Sequence, residues 1–373
     1  MSNPDTDTTH ARLRQWLADT LAAPGLSLSP LLAPGGAGFS AEMFFTTARY
    51  PGPSGPVERE LVVRRQIFGH DLLKDADLRH QWRVMDAFAR HTDIRVPPLV
   101  GIEMDHAVLG APFLVMERVP GRIVSQNPNY NRAGWLADLP LAERHRVWKV
   151  GIENMADIHR VDWRQGFEFL HDPGKKGQPG LDQYLANLGD WLDWARAGRP
   201  WPVLEAAMAH LRDNRPANPA VNVLWGDPIP ANTLFDDQGN VVATIDWEMA
   251  ALGPGEIDLA WWLFFDNLFS AGFGVPRLEG LPSREESIAI YEARVGRKVG
   301  DMHYYDVLST LRMAIVSARQ VDRQIALGNL AADNSAHINN PTAAHLATLI
   351  GAPVPAVGED FHQLMAVLMK AKH

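Results

Sequence analysis

The sequence predicts a two-lobed α+β fold, with a small strand-rich part first, a larger helical part after it, and a boundary near residue 118. Three observations predict it. Strand patterns and one strong amphipathic helix crowd into residues 1–118, long helical patterns fill 119–373, and a short acidic hairpin pattern at 233–245 interrupts those helices. At 373 residues the chain is long enough for two cores of this kind.

Composition narrows the class. Hydrophobic residues at 46% and charged ones at 21% describe an ordinary globular chain. The 44 acids against 35 bases give a net charge of −9, which argues against nucleic acid as a partner and favours cationic or metal-complexed ligands. Cysteine is absent, which excludes disulfides, thiolate metal sites and a cysteine nucleophile, and fits a reducing cytoplasm. The opening MSNPDTDTTHARLRQW lacks the apolar core of a signal peptide, and the most apolar run, Leu259 to Phe265, is too short to span a bilayer. The expectation is a soluble cytoplasmic protein without membrane contact.

The elements follow in order. Leu13, Trp16, Leu17 and Leu21 predict a helix over 10–23, ended by Pro24-Gly25. A Gly-rich stretch over 31–38 precedes a strand at 43–48; by itself it reads either as a plain hairpin turn or as a loop lying close over phosphates, where no side chains intrude. Glu60 to Arg65 reads as a strand with a cationic end. Leu78, Trp82, Met85 and Phe88 mark a helix face that ends before Pro97-Pro98, and Phe113 to Glu117 is a buried-strand pattern broken by Val119-Pro120-Gly121. From Pro140 a helix runs to about Val161, with Trp148, Ile152, Met155 and His159 on one stripe and Asp138 as its cap. A lone His on an apolar stripe reads as a hydrogen-bonded core residue rather than a ligand. Trp191, Trp194 and Trp201 predict helices whose aromatics face either a core or a cleft. The stretch from Glu256 to Phe265 is apolar all round, so Asp258 within it needs a hydrogen bond or a partner. Ser283 to Glu286 is a capping box for a helix ending at Gly296. A longer helix follows Asp301 with Tyr304, Leu308, Leu311 and Ile315 on one face, and helices near 342–350 and 359–371 close the chain. No internal repeat, zinc spacing, Walker P-loop or Gly-x-Ser-x-Gly elbow occurs.

The stretch from Leu224 to Asp266 carries eight carboxylates and no Lys, Arg or His, and so calls for a cation. Its two apolar runs, Thr233 to Phe235 and Val241 to Ile245, flank Asp-Asp-Gln-Gly-Asn, a turn cluster that should fold them into a hairpin. Asn232 lies just before the first run and Asp246 just after the second, so a hairpin brings together an amide oxygen and a carboxylate, a common way to hold Mg²⁺. Asp227, in a Gly- and Pro-bent loop, then stands beside the metal where it can accept a proton. Taken singly, each of these residues also reads as an ordinary turn former capping its own backbone.

Trp-Gly-Asp-x-x-x-x-Asn from Trp225, the hairpin, Ile-Asp-Trp-Glu from Ile245 and Asp-Leu-Ala-Trp from Asp258 together resemble the catalytic segment of the aminoglycoside and choline phosphotransferase family. His-Arg-Val-Asp-Trp from His159 resembles the branch of that family linked to acyl-CoA dehydrogenases. The resemblance covers most of the chain and is strongest over 225–262. It implies a protein-kinase-like fold, with a nucleotide-binding lobe at 1–118 and a catalytic and substrate-binding lobe at 119–373. It implies Asp227 as catalytic base, Asn232 and Asp246 as Mg²⁺ ligands, and Asp258 as a buried brace of the loop. Phe39 and Ser40 correspond to the loop covering the nucleotide phosphates. Arg64 stands where the family has a phosphate-binding Lys, and Gln81 where it has the Glu paired with that Lys. Met116 would back the adenine, with the Glu117 carbonyl and the Val119 amide reading the base; as a core filler Met116 needs no ligand. The implied activity is ATP-dependent (or GTP-dependent), Mg²⁺-dependent phosphorylation of a hydroxyl on an aminoglycoside-like or other small alcohol. The alternative is a silent nucleotide- or ligand-binding pseudokinase, favoured by Arg64, by Gln81 and by Trp225 where the family commonly has His. An aminoglycoside requires an acidic acceptor pocket, a neutral alcohol an apolar one.

Overall fold

The structure, a computed structural model, describes residues 4–33, 41–67, 72–74, 77–175 and 177–370. Helix α1 (Pro4–Thr20) leads into five antiparallel strands: β1 (Ser27–Leu28), β2 (Ala41–Gly52), β3 (Gly55–Gln66), β4 (Leu99–Glu103) and β5 (Phe113–Glu117), in the order β1-β2-β3-β5-β4. Helix α2 (Leu78–His91) lies between β3 and β4 in sequence.

Strand β3 is central, and alternation decides what its residues touch. Leu61 and Val63 point to a core shared with Leu13 and Leu17 of α1, while Val62 faces Leu78, Met85 and Phe88 of α2. Covered on both sides, β3 reads as a continuous apolar run rather than an alternating one. Arg64 falls on the Val62 side, toward α2 and the helical part.

The remainder is mostly helical. It contains α3 (Trp135–Asp138), α4 (Leu141–His159), α5 (Leu181–Arg196), α6 (Pro202–Asp213), α7 (Glu256–Phe269), α8 (Arg284–Val295), α9 (Met302–Ala326), α10 (Pro341–Ile350) and α11 (Glu359–Lys370). Two short sheets sit among them: β6 (Asn222–Leu224) pairs with β9 (Ala251–Gly253), and β7 (Thr233–Phe235) pairs with β8 (Val241–Thr244). The fold is the two-lobed α+β fold that the sequence predicts.

Capping signals hold where both partners are local. Ser283 and Glu286 form the reciprocal capping box of α8, which Gly296 closes at φ 74°, and Asp301 caps α9 by accepting from the His303 amide. The Asp138 expectation is corrected. Asp138 ends the separate short helix α3, and α4 starts at Pro140 with no side-chain cap. Trp191 and Trp201 are core residues of α5 and its junction with α6, which selects the core reading over the cleft. No helix among the described residues is long and apolar enough to cross a membrane.

One apolar cluster joins the two parts. Val62, Leu114 and Met116 of the sheet pack with Phe88, Ile158, Trp225 and Trp247, and the Phe88 and Trp247 rings lie 4.4 Å apart.

Candidate active site

The acidic hairpin forms at β7 and β8, with Thr233 opposite Thr244 and a turn in which Gly239 takes φ 73°. The pairing continues past the strands: the Ile245 amide donates to the Asn232 carbonyl at 3.0 Å. Asn232 and Asp246 are therefore neighbours across the open end, as the spacing predicts. Asp246 itself has φ 63°, a left-handed conformation that costs a non-glycine residue free energy and often marks a functional position.

The loop before Asn232 is held from beneath by Asp258. That carboxylate is fully buried on α7 and accepts from the amides of Trp225 (2.7 Å) and Gly226 (3.3 Å). It also faces His159 Nε2 at 3.0 Å, whose Nδ1 lies 2.8 Å from the Tyr291 hydroxyl. His159 is thus a buried, hydrogen-bonded support. Trp225 is buried too, and its Nε1 donates to the Ile245 carbonyl at 2.8 Å, tying the Asp227 loop to the residue before Asp246. Gly226 has φ 91°, and a Cβ there would sit 2.1 Å from the Met249 carbonyl oxygen; only glycine lets the two loops meet so closely.

Asp227 emerges from this base half-buried. Its Oδ1 accepts from Trp261 Nε1 at 2.7 Å and its Oδ2 from Asn232 Nδ2 at 2.7 Å. Burial, and then the charge of Asp246, push its carboxyl up to about 6, against the pull of the Trp261 hydrogen bond, the Arg312 charge and the Asn232 hydrogen bond. A carboxylate with that pKa is poised to take a proton near neutral pH.

The cation that the acidic stretch calls for is supplied in part by arginines from elsewhere in the chain. Arg64 donates from Nη1 to Asp246 at 3.0 Å and from Nη2 to Glu248 at 2.5 Å; Arg277 pairs with Asp266 and Arg297 with Glu256. Arg64 is 6% exposed, and although burial works against its charge, Asp246 and Glu248 hold its pKa above the ordinary arginine value. Gln81 is not its partner. Gln81 is buried on α2, and its Oε1, the only atom that could accept from an arginine, has no hydrogen-bond partner.

Of the nucleotide-facing expectations, Met116 is buried in the cluster joining the two parts, which its role as core filler already accounts for. Glu117 ends β5, with its side chain ion-paired to Arg59 and its amide donating to the Pro98 carbonyl; Val119 follows two residues later. Phe39 and Ser40 lie outside the described residues.

The donor set fits Mg²⁺. Asn232 spends its Nδ2 on Asp227, so its amide oxygen and the carboxylate of Asp246, one residue beyond the Ile245 that pairs with Asn232, are the hard oxygen ligands the hairpin end offers. Among the described residues no three His, Asp or Glu side chains are grouped to ligate a metal. Further ligands to such an ion would come from water and phosphate, as is usual for Mg²⁺.

A family profile described as the phosphotransferase enzyme family matches residues 33–289. The chain belongs to this family. The chain is also 26% identical over 271 residues to mouse (Mus musculus) acyl-CoA dehydrogenase family member 10, a match covering 69% of this chain and 24% of that protein, so the chain spans about a quarter of that relative's length. Among solved structures, a putative aminoglycoside phosphotransferase from Ralstonia eutropha superposes with a TM-score of 0.62 at 20% identity, covering 95% of this chain and 98% of that one. A thermostable mutant of another aminoglycoside phosphotransferase, solved as a ternary complex with AMP-PNP and hygromycin B, superposes with a TM-score of 0.52 at 16% identity, covering 91% and 96%. At these identities the structural likeness speaks for the fold.

Sequence reasoning missed Glu248 as a partner of Arg64, quoted Trp261 within Asp-Leu-Ala-Trp without giving it a role, and missed Arg312 altogether. The signals existed: an indole one turn after Asp258 in a helix buried all round, and a charged residue on the apolar face of α9.

Proposed function

We propose that this phosphotransferase moves the γ-phosphoryl group of ATP to a hydroxyl of a small neutral alcohol with an apolar body. What carries the reading is the cluster at one hairpin end: Asp227, with its raised pKa, accepts at 2.7 Å from Asn232, whose carbonyl in turn accepts from the amide of Ile245, the residue before Asp246.

Asn232 and Asp246 would hold Mg²⁺, which when bound neutralises phosphate oxygens during transfer. Arg64, at the end of β3 beside Asp246, binds phosphate oxygens, and Met116 with the backbone of Glu117 and Val119 receives the base. Asp227 orients the acceptor hydroxyl. The acceptor oxygen bonds to the γ-phosphorus, the bond from that phosphorus to the bridging oxygen of ADP breaks, and the hydroxyl proton passes to Asp227 late in the step. Trp261 and Asn232 fix the Asp227 carboxylate while this happens. The structural neighbour holding AMP-PNP and hygromycin B together supports a nucleotide and a hydroxyl compound side by side in this fold.

The acceptor wall supports the neutral class. Beside the hairpin loop a small recess of about 10 Å³, lined mainly by Val124, Ile229, Pro230, Phe265 and Phe269 with Gln126 as its polar member, presents no carboxylate to meet a polycation. A screen of neutral alcohols and aminoglycosides for acceptor-stimulated ADP release tests this. Stimulation by aminoglycosides alone would remove the apolar-acceptor reading.

One observation favours a second reading, a nucleotide-binding protein without turnover: Arg64 already engages both Asp246 and Glu248. Mg²⁺-dependent ATP turnover separates the two, and its absence with every acceptor would leave the silent protein.

A further inference from the structure

Arg312 is a charged residue at a core position. It stands on α9 one turn after Leu308 and is 1% exposed, yet among the described residues it forms no ion pair, and its Nε and Nη1 have no hydrogen-bond partner. A buried cation held by no direct ion pair is costly, so the contacts it does make need a reason.

Those contacts converge on the site. Nη2 donates to the Gly226 carbonyl at 2.6 Å and lies 3.5 Å from Met249 Sδ, and the guanidinium sits 4.1 Å from the centroid of the Trp261 ring. The Gly226 carbonyl belongs to the peptide group that leads into Asp227. Trp261 is the indole that donates to the Asp227 carboxylate at 2.7 Å. Arg312 therefore grips what fixes Asp227 at both ends, the peptide before its backbone and the donor to its side chain. It does so where the Gly226 and Met249 backbones meet most closely.

We propose that Arg312 is a positioning residue for phosphoryl transfer, clamping the Gly226 peptide and the Trp261 indole so that α9 sets the aim of Asp227. The proposal rests on the reading of Asp227 given above. Among the described residues Arg312 touches none of the proposed nucleotide contacts.

The test uses the full chain with Mg²⁺-ATP and water as acceptor, so that no alcohol need be identified. Arg312→Met, Arg312→Lys, Trp261→Phe and the Arg312→Lys/Trp261→Phe double variant are compared with wild type. In Arg312→Met, kcat should fall roughly 10- to 100-fold while KM for ATP moves by less than about threefold. Arg312→Lys should recover part of the loss, since it can still donate to Gly226 but cannot stack as a plane. The double variant should be no worse than its more damaging single change, because both break one relay. The Trp261 indole N–H resonance, assigned by its disappearance in Trp261→Phe, should shift in Arg312→Met. A wild-type kcat in Arg312→Met, or equal losses of kcat and ATP affinity with an unmoved indole resonance, would overturn the proposal. Where the wild type turns over no ATP with water, the indole resonance decides the clamp, an unmoved one in Arg312→Met overturning it and a shifted one supporting it, while the transfer reading fails only if no acceptor in the alcohol screen releases ADP.

Discussion

Arg64 Nη1 lies 3.0 Å from Oδ1 of Asp246, an ion pair that joins the central strand of the sheet to the residue after β8 across 182 positions of sequence. It binds the strand-rich part to the acidic hairpin directly.

Arg64→Ala should weaken ATP by roughly ten- to a hundredfold, the worth of a hydrogen bond to a charged group, and adenosine hardly at all. It also leaves Asp246 and Glu248 facing each other without their cation. The variant should therefore melt lower than wild type in EDTA and gain more Tm from added Mg²⁺ than wild type does. Isothermal titration with ATP and adenosine, and melting curves with and without Mg²⁺, check both. Equal loss for the two ligands would mean a folding defect.

Asp246→Asn and Asn232→Ala should both abolish Mg²⁺-dependent nucleotide binding, but they differ in stability. Asn232 is buried and donates to both the carbonyl and the carboxylate of Asp227, so its loss should cost about 1–3 kcal/mol. Asp246→Asn leaves the Arg64–Glu248 pair in place and should be milder. Urea unfolding of the metal-free proteins measures the difference. Unchanged Mg²⁺ dependence in both would remove these two as ligands.

Asp227→Asn should lower kcat by roughly 10² to 10⁴ with little change in ATP affinity, because in the proposed mechanism the residue acts on the hydroxyl and not on the nucleotide. Stability should respond to pH in a defined direction. The folded carboxyl is raised from 3.8 to about 6, so the folded state holds the proton more tightly than the unfolded chain does. Its contribution to stability is full below about pH 4 and is lost as pH rises through about 6. Melting temperatures of the metal-free pair should therefore shift in favour of Asp227→Asn as pH rises across that window. A difference that stays constant with pH would contradict the raised pKa.

Asp258→Ala should be the most damaging of these changes to the fold. It leaves the Trp225 and Gly226 amides and His159 without their acceptor in the core, and loss of one partner from a buried charged network costs about 3–5 kcal/mol. Tyr291→Phe removes only the outer hydrogen bond to His159 and should cost about 1 kcal/mol. Chemical denaturation of the two variants gives the comparison, and equal costs would show that Asp258 does not anchor the loop.

Much of this site was legible before any tertiary contact was known, because its signals are local. Turn residues between two apolar runs determine the hairpin, and the hairpin alone brings Asn232 beside Asp246. The capping box at Ser283 and the need of Asp258 for a partner inside an apolar helix are likewise properties of a few adjacent residues. What the tertiary structure decided is who answers each charge. Arg64 turned to Asp246 and Glu248 rather than to Gln81, and Arg312 reached Gly226 from 86 residues away. Backbone geometry and periodicity act over a few residues and are written in the order of the chain. A buried charge takes its partner from whatever elements the packing of the core brings within about 3 Å, and that depends on the whole fold at once.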